Sequence, residues 1–271
     1  MNNLKWYFPK AIDEATELMK KEKVLPHASG TGLLKRNLSN LNGLINLSDL
    51  ELQYSKQKND TIEFGSMNTY ADIIAKLSDI DENNILVKSL QNSADTPLRN
   101  RITIGGSIAF APPWSDIIGA LIALETEIVL AGQNVGAFPI AEYLRNSKLK
   151  KNSLITGIKF KLSNWETFSH REIRTKKDMP IFHIVIMLKI ADNRIQDSKI
   201  IITGTTNKFD KLNEIEKYLT DTEIDEIEYS KIEKMVDVKF SKNRISNPEY
   251  SNKLVAVELS RGIQKLVRKN K

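Results

Sequence analysis

The stretch from Arg99 to Asp116 constrains this chain more than any other. It reads Arg-Asn-Arg-Ile-Thr-Ile-Gly-Gly-Ser-Ile-Ala-Phe-Ala-Pro-Pro-Trp-Ser-Asp. Ile102–Ile104 has β character and runs into Gly105 and Gly106; a loop with Pro112-Pro113 follows, and an apolar helix is expected from Asp116. A strand end, a glycine pair and a helix start this close together present bare backbone N–H groups, a geometry suited to a phosphate. Thr103 and Ser107 flank the glycines with hydroxyls that bond phosphate oxygens. Taken alone, a Gly-Gly after a strand is more often only a tight turn. A second small-residue turn, Ala28-Ser29-Gly30-Thr31-Gly32, lies far upstream between His27 and Leu33. Two such turns suggest a ligand with two phosphates, although neither reads G-x-G-x-x-G and neither is a Walker loop. Asp116 reads first as a helix cap, a role compatible with accepting hydrogen bonds from ribose hydroxyls.

Composition narrows the chemistry. The 271 residues are 41% hydrophobic and 27% charged, which is ordinary globular material. There is no cysteine, so disulfides, thiolate chemistry and cysteine-bound iron–sulfur clusters are excluded from this chain. His27, His170 and His183 do not fall at zinc spacing, and no metal site is expected. No apolar run reaches the ~18 residues of a membrane span, and the N-terminal residues lack a signal-peptide core; a cytoplasmic location is expected. The net charge of +6 and pI of about 9.2 permit an anionic cofactor, an acidic partner or nucleic acid. His170, Arg171, Arg174, Lys176 and Lys177 form the densest basic segment, expected as a solvated edge strand or as side chains near a pyrophosphate. Trp6, Tyr7 and Phe8 are expected in packing. No nucleophile–base set and no catalytic carboxylate pair is present, so any redox chemistry falls to a cofactor.

Periodicity organises the rest. A helix after Pro9 has Ala11, Ala15, Leu18 and Met19 on one face. Strands are expected at Val24–His27, Leu44–Leu47, Ile62–Met67, Ile102–Ile104, Glu127–Leu130 and Ile158–Leu162, with helices at Thr69–Leu77, Asn83–Asn92 and Ile117–Leu124 and a hairpin turn at Ala131–Asn134. After Ser163-Asn164 the pattern changes. Trp165–Arg174, Ile181–Ile190 and Lys199–Thr203 read as an antiparallel meander, with Asp192-Asn193 as one turn. Helices are expected at Asn207–Leu219 and about Glu223–Lys234. A last helix is capped by Ser246 or Asn247, with Pro248 in its first turn. Strands followed by helices indicate a separate α+β unit. The expected domains are 1–162, with subdomains of about 1–55 and 56–162, and 163–271.

These residues resemble the flavin-binding (medium) subunit of the molybdenum hydroxylases, the xanthine dehydrogenase and carbon monoxide dehydrogenase family. Arg99–Ser107, Ala111-Pro112 and Asp116 are similar to its I-R-N-x-A-T-I-G-G-N, A-S-P and D pattern, at the same spacing. Ala28–Leu34 resembles A-G-G-T-D-L-L, and Ile62–Ser66 through Tyr70–Ile73 resembles I-G-A-x-x-T-x-x-D/E-I. Ser153–Ile158 resembles E-L-I-T-x-I, and Tyr250–Arg261 resembles the terminal Y-R-x-x-L-A…L-x-x-R helix. The likeness runs in order over essentially the whole chain.

The resemblance implies an α+β fold. A two-subdomain FAD-binding domain of the vanillyl-alcohol-oxidase (PCMH) type would be followed by a smaller C-terminal α+β domain with an antiparallel sheet and helices. It implies non-covalent FAD, with the turns His27–Leu33 and Thr103–Ser107 (through Ile104, Gly105 and Gly106) on the pyrophosphate. Asp116 would hold a ribose hydroxyl or nearby backbone, Ile155 would lie by the flavin, and His170 would stand near a cofactor-contacting lysine of the family. The implied function is electron transfer from a [2Fe-2S] small subunit, itself fed by a molybdopterin-binding large subunit, through FAD to NAD or another acceptor, without nucleic acid or membrane. Ser29, Gly32, Ser107 and His170 depart from the family pattern. They motivate a second reading, a flavin-poor paralogue acting as a scaffold or regulatory module. A nucleic-acid-binding reading rests only on the pI and the 170–177 segment, and it predicts strongly salt-dependent binding.

Overall fold

The computed structural model describes residues 4–33, 38–175, 178–242 and 247–269. In chain order the elements are β1 (Lys5–Tyr7), α1 (Ile12–Met19), β2 (Val24–His27), β3 (Gly43–Asn46), β4 (Ser55–Lys58), β5 (Thr61–Gly65), α2 (Tyr70–Ser78), α3 (Ile85–Leu90), α4 (Thr96–Arg99), α5 (Ile104–Phe110) and α6 (Asp116–Ala123). They continue with β6 (Glu127–Gly132), β7 (Gly136–Pro139), α7 (Ile140–Arg145), α8 (Ser147–Lys150), β8 (Ser153–Lys161), β9 (Glu166–Glu172), β10 (Phe182–Ala191), β11 (Arg194–Thr203), β12 (Phe209–Lys211), α9 (Asn213–Leu219), α10 (Tyr229–Met235) and α11 (Pro248–Lys269). Among the described residues, no helix is long and apolar enough to cross a membrane.

The first compact unit comprises Met1–Lys76, Asp95–Ala111 and Leu124–Leu162. It holds a parallel sheet in the order β1-β3-β2 and an antiparallel sheet in the order β4-β5-β8-β6-β7. Most of the face expected on α1 packs: Ala15 is buried with Val24, Ile45, Leu47 and Leu154, and Leu18 and Met19 close over them, while Ala11 is the exposed N-cap. In β5 the two-residue period buries Ile62 and Phe64 completely. α2 starts on a reciprocal cap: Thr69 N–H donates to Asp72 Oδ2 at 2.8 Å, and Asp72 N–H donates back to Thr69 Oγ1 at 3.2 Å. The N-terminal aromatics alternate, so Tyr7 packs inward while Trp6 and Phe8 are 43% and 58% exposed, contrary to the expected packing of all three.

The expected strand at Ile102–Ile104 does not form. Thr103 makes only a single bridge to Thr69 and is otherwise the N-cap of α5, with φ −88° and ψ 150°. A hydroxyl able to cap outweighs the β preference of a three-residue run. Gly105 and Gly106 therefore lie in the first turn of a helix. The β6–β7 hairpin turns two residues later than expected, because Ala131 and Gly132 go on pairing with Leu154 and Ser153.

The second unit comprises Leu77–Ala94, Pro112–Ala123 and Ser163–Lys271. It thus takes in α3 and α6, which precede the expected boundary after Leu162. The reason is packing: α6 is buried along its whole length, and its Gly119 lies against Val185, Thr203 and His183 on one face of the sheet β12-β11-β10-β9. The other face carries Phe182, Ile184, Ile186 and Leu188 into a core with α9, α10 and α11. Asp192 and Asn193 have φ of +52° and +59°, the left-handed pair of a type I′ hairpin, as expected. Asn247 Oδ1 accepts from Glu249 N–H at 3.0 Å and caps α11; Ser246, the other candidate, lies outside the described residues. The helix expected over Asn207–Leu219 is divided. Phe209 pairs with Thr203 and is buried as part of edge strand β12, and only Asn213–Leu219 is helical. Likewise only Tyr229–Met235 is helical in the stretch expected at Glu223–Lys234.

Candidate functional site

In the first unit, β2 ends at His27 and the chain turns through Ala28–Gly32. Gly30 has φ +77°, and a Cβ there would stand 2.9 Å from His27 Nε2, so only glycine lets the backbone fold over the imidazole. The ring of Trp6 meets that imidazole edge-on, with 4.9 Å between centroids. Burial holds His27 below its ordinary pKa, opposed by its own backbone hydrogen bond and reinforced by the charge of Arg101. The N–H groups of Ser29, Gly30 and Thr31 have no acceptor among the described residues. At Gly32 the nearest atoms an added Cβ would meet among the described residues are those of the Phe110 side chain, at an ordinary 3.8 Å. Leu34, the end of the family-like turn, lies outside the described residues.

The downstream segment behaves differently. Ile104 N–H donates to the Asn68 carbonyl at 2.9 Å and Gly105 N–H to the Ser66 carbonyl at 2.9 Å. Gly106 N–H donates to Thr103 Oγ1 at 3.3 Å and Ser107 N–H to the Thr103 carbonyl at 3.0 Å. Ser107 Oγ also donates to that carbonyl, at 2.9 Å. The expectation of bare N–H groups at the glycine pair is therefore corrected: all four donors are used inside the unit. Gly105 is glycine for a steric reason, since a Cβ would lie 2.7 Å from Ser66 Cβ and 2.9 Å from the Ser66 oxygen. The two segments do come together. Ser29 Oγ donates to the Arg101 carbonyl, and Arg101 Nη2 donates to the Ser29 carbonyl at 3.2 Å. Ile155 is buried on β8, next to Thr156, whose carbonyl accepts from Ser66 N–H at 2.9 Å.

In the second unit, Asp116 is the first residue of α6 and is only 7% exposed. Its Oδ1 accepts from Arg171 Nε at 2.7 Å, and Arg171 Nη1 also donates to the Asn92 carbonyl at the end of the α3 region. Burial raises the Asp116 carboxyl from 3.8 to about 6, with Arg171 pulling the other way. Arg171 is thus an inward ion-pair partner rather than a solvated edge residue. His183 shares that sheet face, with Nε2 2.7 Å from Ser169 Oγ; burial first, then the charges of Arg171 and His170, bring it from 6.5 to about 3. His170 projects to the opposite face, where Nε2 lies 3.1 Å from Glu172 and Nδ1 3.9 Å from Glu258 of α11. Asp116 and His170 are therefore not brought together. Arg174 pairs with Asp178 at 3.0 Å, and Lys176 and Lys177 lie outside the described residues.

A family profile described as "FAD binding domain in molybdopterin dehydrogenase" matches residues 2–160, more than half of the chain. The chain belongs to that family. It is 26% identical over 219 residues to the glyceraldehyde dehydrogenase medium chain of Sulfolobus acidocaldarius, covering 76% of this chain and 77% of that one. It is 24% identical over 233 residues to the nicotine 6-hydroxylase medium subunit of Paenarthrobacter nicotinovorans, covering 82% and 81%. Its fold matches a chain of the reconstituted CO dehydrogenase from Oligotropha carboxidovorans with a TM-score of 0.89 at 21% identity, over 98% of both chains. The fold class is thus the one the resemblance implies, α+β with helices and antiparallel sheets. The cofactor of the family is FAD, and the chain is an oxidoreductase component.

The residues present fit that cofactor at the upstream turn. Three N–H groups without acceptors among the described residues, on a turn whose Gly30 no other residue replaces without strain, are donors of the kind an anion takes. Arg101, which bonds to Ser29 of that turn, was not singled out from the sequence. It was legible only as the variable position of a motif, and nothing in its neighbours shows that it reaches back to Ser29.

Proposed function

We propose that this chain is the FAD-binding electron-transfer subunit of a cytoplasmic molybdenum-containing hydroxylase or dehydrogenase. Electrons would come from an iron–sulfur small subunit served by a molybdopterin-binding large subunit and leave for NAD or another acceptor. The observation that carries the cofactor part is the set of N–H groups at Ser29, Gly30 and Thr31 without acceptors among the described residues. The medium-chain relatives support the place in a complex. FAD, when bound, supplies the redox chemistry itself. The chain's residues bind and orient it: the Ala28–Gly32 turn receives the pyrophosphate, Gly30 keeps that turn folded over His27, and Ile155 offers an apolar wall. Thr103, Gly105, Gly106 and Ser107 shape the neighbouring helix start, and Asp116 fixes α6 through Arg171.

The test is reconstitution of the full chain with FAD, followed by desalting and an absorption spectrum. Retained flavin bands that bleach with NADH support both the cofactor and the acceptor. Retained bands that do not bleach redirect the acceptor away from NAD. A protein that stays colourless overturns the proposal in favour of the scaffold reading.

A further inference from the structure

Ser29 and Arg101 are bonded to each other twice, in opposite directions. The Ser29 hydroxyl donates to the Arg101 carbonyl, and the Arg101 guanidinium donates to the Ser29 carbonyl at 3.2 Å. Only Ser29 stands where the family pattern has another residue. The first glycine of A-G-G-T-D-L-L is Ser29 here, and Arg101 occupies the free position of I-R-N-x-A-T-I-G-G-N. A glycine at 29 has no hydroxyl to make the first bond, so this double latch belongs to this sequence rather than to the pattern.

The latch leaves a charge beside the turn. A guanidinium carries five N–H donors in a rigid fork. Arg101 uses one on Ser29, and its remaining donors have no acceptor among the described residues. The residue is exposed, and its main chain is fixed by N–H donation to the Leu98 carbonyl at 3.0 Å. The positive end therefore stands at the turn whose Ser29, Gly30 and Thr31 N–H groups also lack acceptors. One planar cation beside three consecutive amides without acceptors among the described residues offers donors for more than one phosphate oxygen.

We propose that Arg101 is a specificity residue for the diphosphate of the flavin, and that Ser29 is the positioning residue that aims it. This rests on the FAD reading above. It adds that the chain reads the diphosphate by charge, and that the Gly-to-Ser change at 29 strengthens the cofactor site instead of weakening it.

Flavin fluorescence titrations of the full chain with FAD and with riboflavin, at low and high salt, test it. Arg101→Gln keeps an amide donor on a shorter stem and removes the charge, and it is expected to weaken FAD by about 10- to 100-fold while leaving riboflavin unchanged. Its FAD affinity also loses much of its salt dependence. Arg101→Lys recovers part of the affinity and the salt dependence. Ser29→Gly, which restores the family residue, weakens FAD by a smaller factor and adds nothing on top of Arg101→Gln. If Arg101→Gln binds FAD as the unaltered chain does, or loses FAD and riboflavin equally, the inference falls while the FAD reading stands. If the unaltered chain takes up no FAD, the reading beneath it falls instead.

Discussion

The two glycine segments of the first unit look alike in sequence and do opposite things. At Ala28–Gly32 the glycine is demanded by backbone angle, and three N–H groups are left without acceptors among the described residues. At Ile104–Ser107 the glycine is demanded by a close neighbour, Ser66, and every N–H group is already used. The missing Cβ serves reach in one case and packing in the other. Asp116, the end of the downstream motif, continues the second pattern, because its carboxylate is held by Arg171. The motif that most marks the sequence is thus chiefly architectural, and the shorter upstream turn presents the open donors.

The comparison breaks most visibly at its committed end. Arg171→Ala leaves a carboxylate buried without its cation, and a loss of about 3 kcal/mol is expected in denaturant titration. Asp116→Asn in the same background recovers much of it, since a neutral amide needs no cation. The pH dependence carries the same signature. Asp116 has a folded pKa raised from 3.8 to about 6, so the folded state keeps a proton the unfolded chain has lost, and stability falls as pH rises through that window. His183 is depressed from 6.5 to about 3, so its contribution is full above 6.5 and is lost as pH falls. The two slopes oppose each other. Asp116→Asn removes one of them, and the Tm of that variant is expected to rise more steeply between pH 4 and pH 6.5 than that of the unaltered chain. A parallel Tm profile for the two proteins would show that Asp116 is not the group titrating.

Next in size is Gly105→Ala. Its Cβ would press on backbone as well as on a side chain, so about 1–3 kcal/mol is expected from strain. Riboflavin and FAD affinity should then fall together, through the fold. If Gly105→Ala instead spares stability and selectively weakens FAD, the segment is an anion site after all and the contrast collapses.

Local signals were the legible ones. Strand β2, the β10–β11 hairpin with Asp192-Asn193, and the capped start of α11 are each set by residues within a few positions of one another. What escaped depended on partners far along the chain. Thr103 reads as strand because it sits between isoleucines, yet its hydroxyl finds Gly106 N–H and starts a helix. Phe209 reads as helix because it lies in a helical period, yet pairing with Thr203 makes an edge strand. Arg171 reads as solvated among its basic neighbours, and only the packing of α6 on the sheet turns it inward. The use of the Ile104 and Gly105 donors was likewise hidden, since their acceptors at Asn68 and Ser66 lie on a distant stretch of sequence.

The smallest predicted effects lie inside the upstream turn, and they sharpen the comparison most finely. Gly30 and Gly32 are two residues apart, but only Gly30 has a positive φ, at +77°. Gly30→Ala must either accept about 1–2 kcal/mol of left-handed strain or turn the backbone away from His27. Either course moves the N–H groups of Ser29 and Thr31, so FAD uptake is expected to fall by more than stability does. Among the described residues Gly32→Ala makes an ordinary contact with Phe110, and it should leave stability within about 0.5 kcal/mol of the starting value. A side chain at this position, where the family pattern has aspartate, is therefore sterically admissible. Gly32→Asp separates space from charge: it should fold like Gly32→Ala, and any change in FAD affinity between the two reads the carboxylate alone. If Gly32→Ala costs as much as Gly30→Ala, the turn is one packed unit, and the claim that a single glycine sets its donors fails.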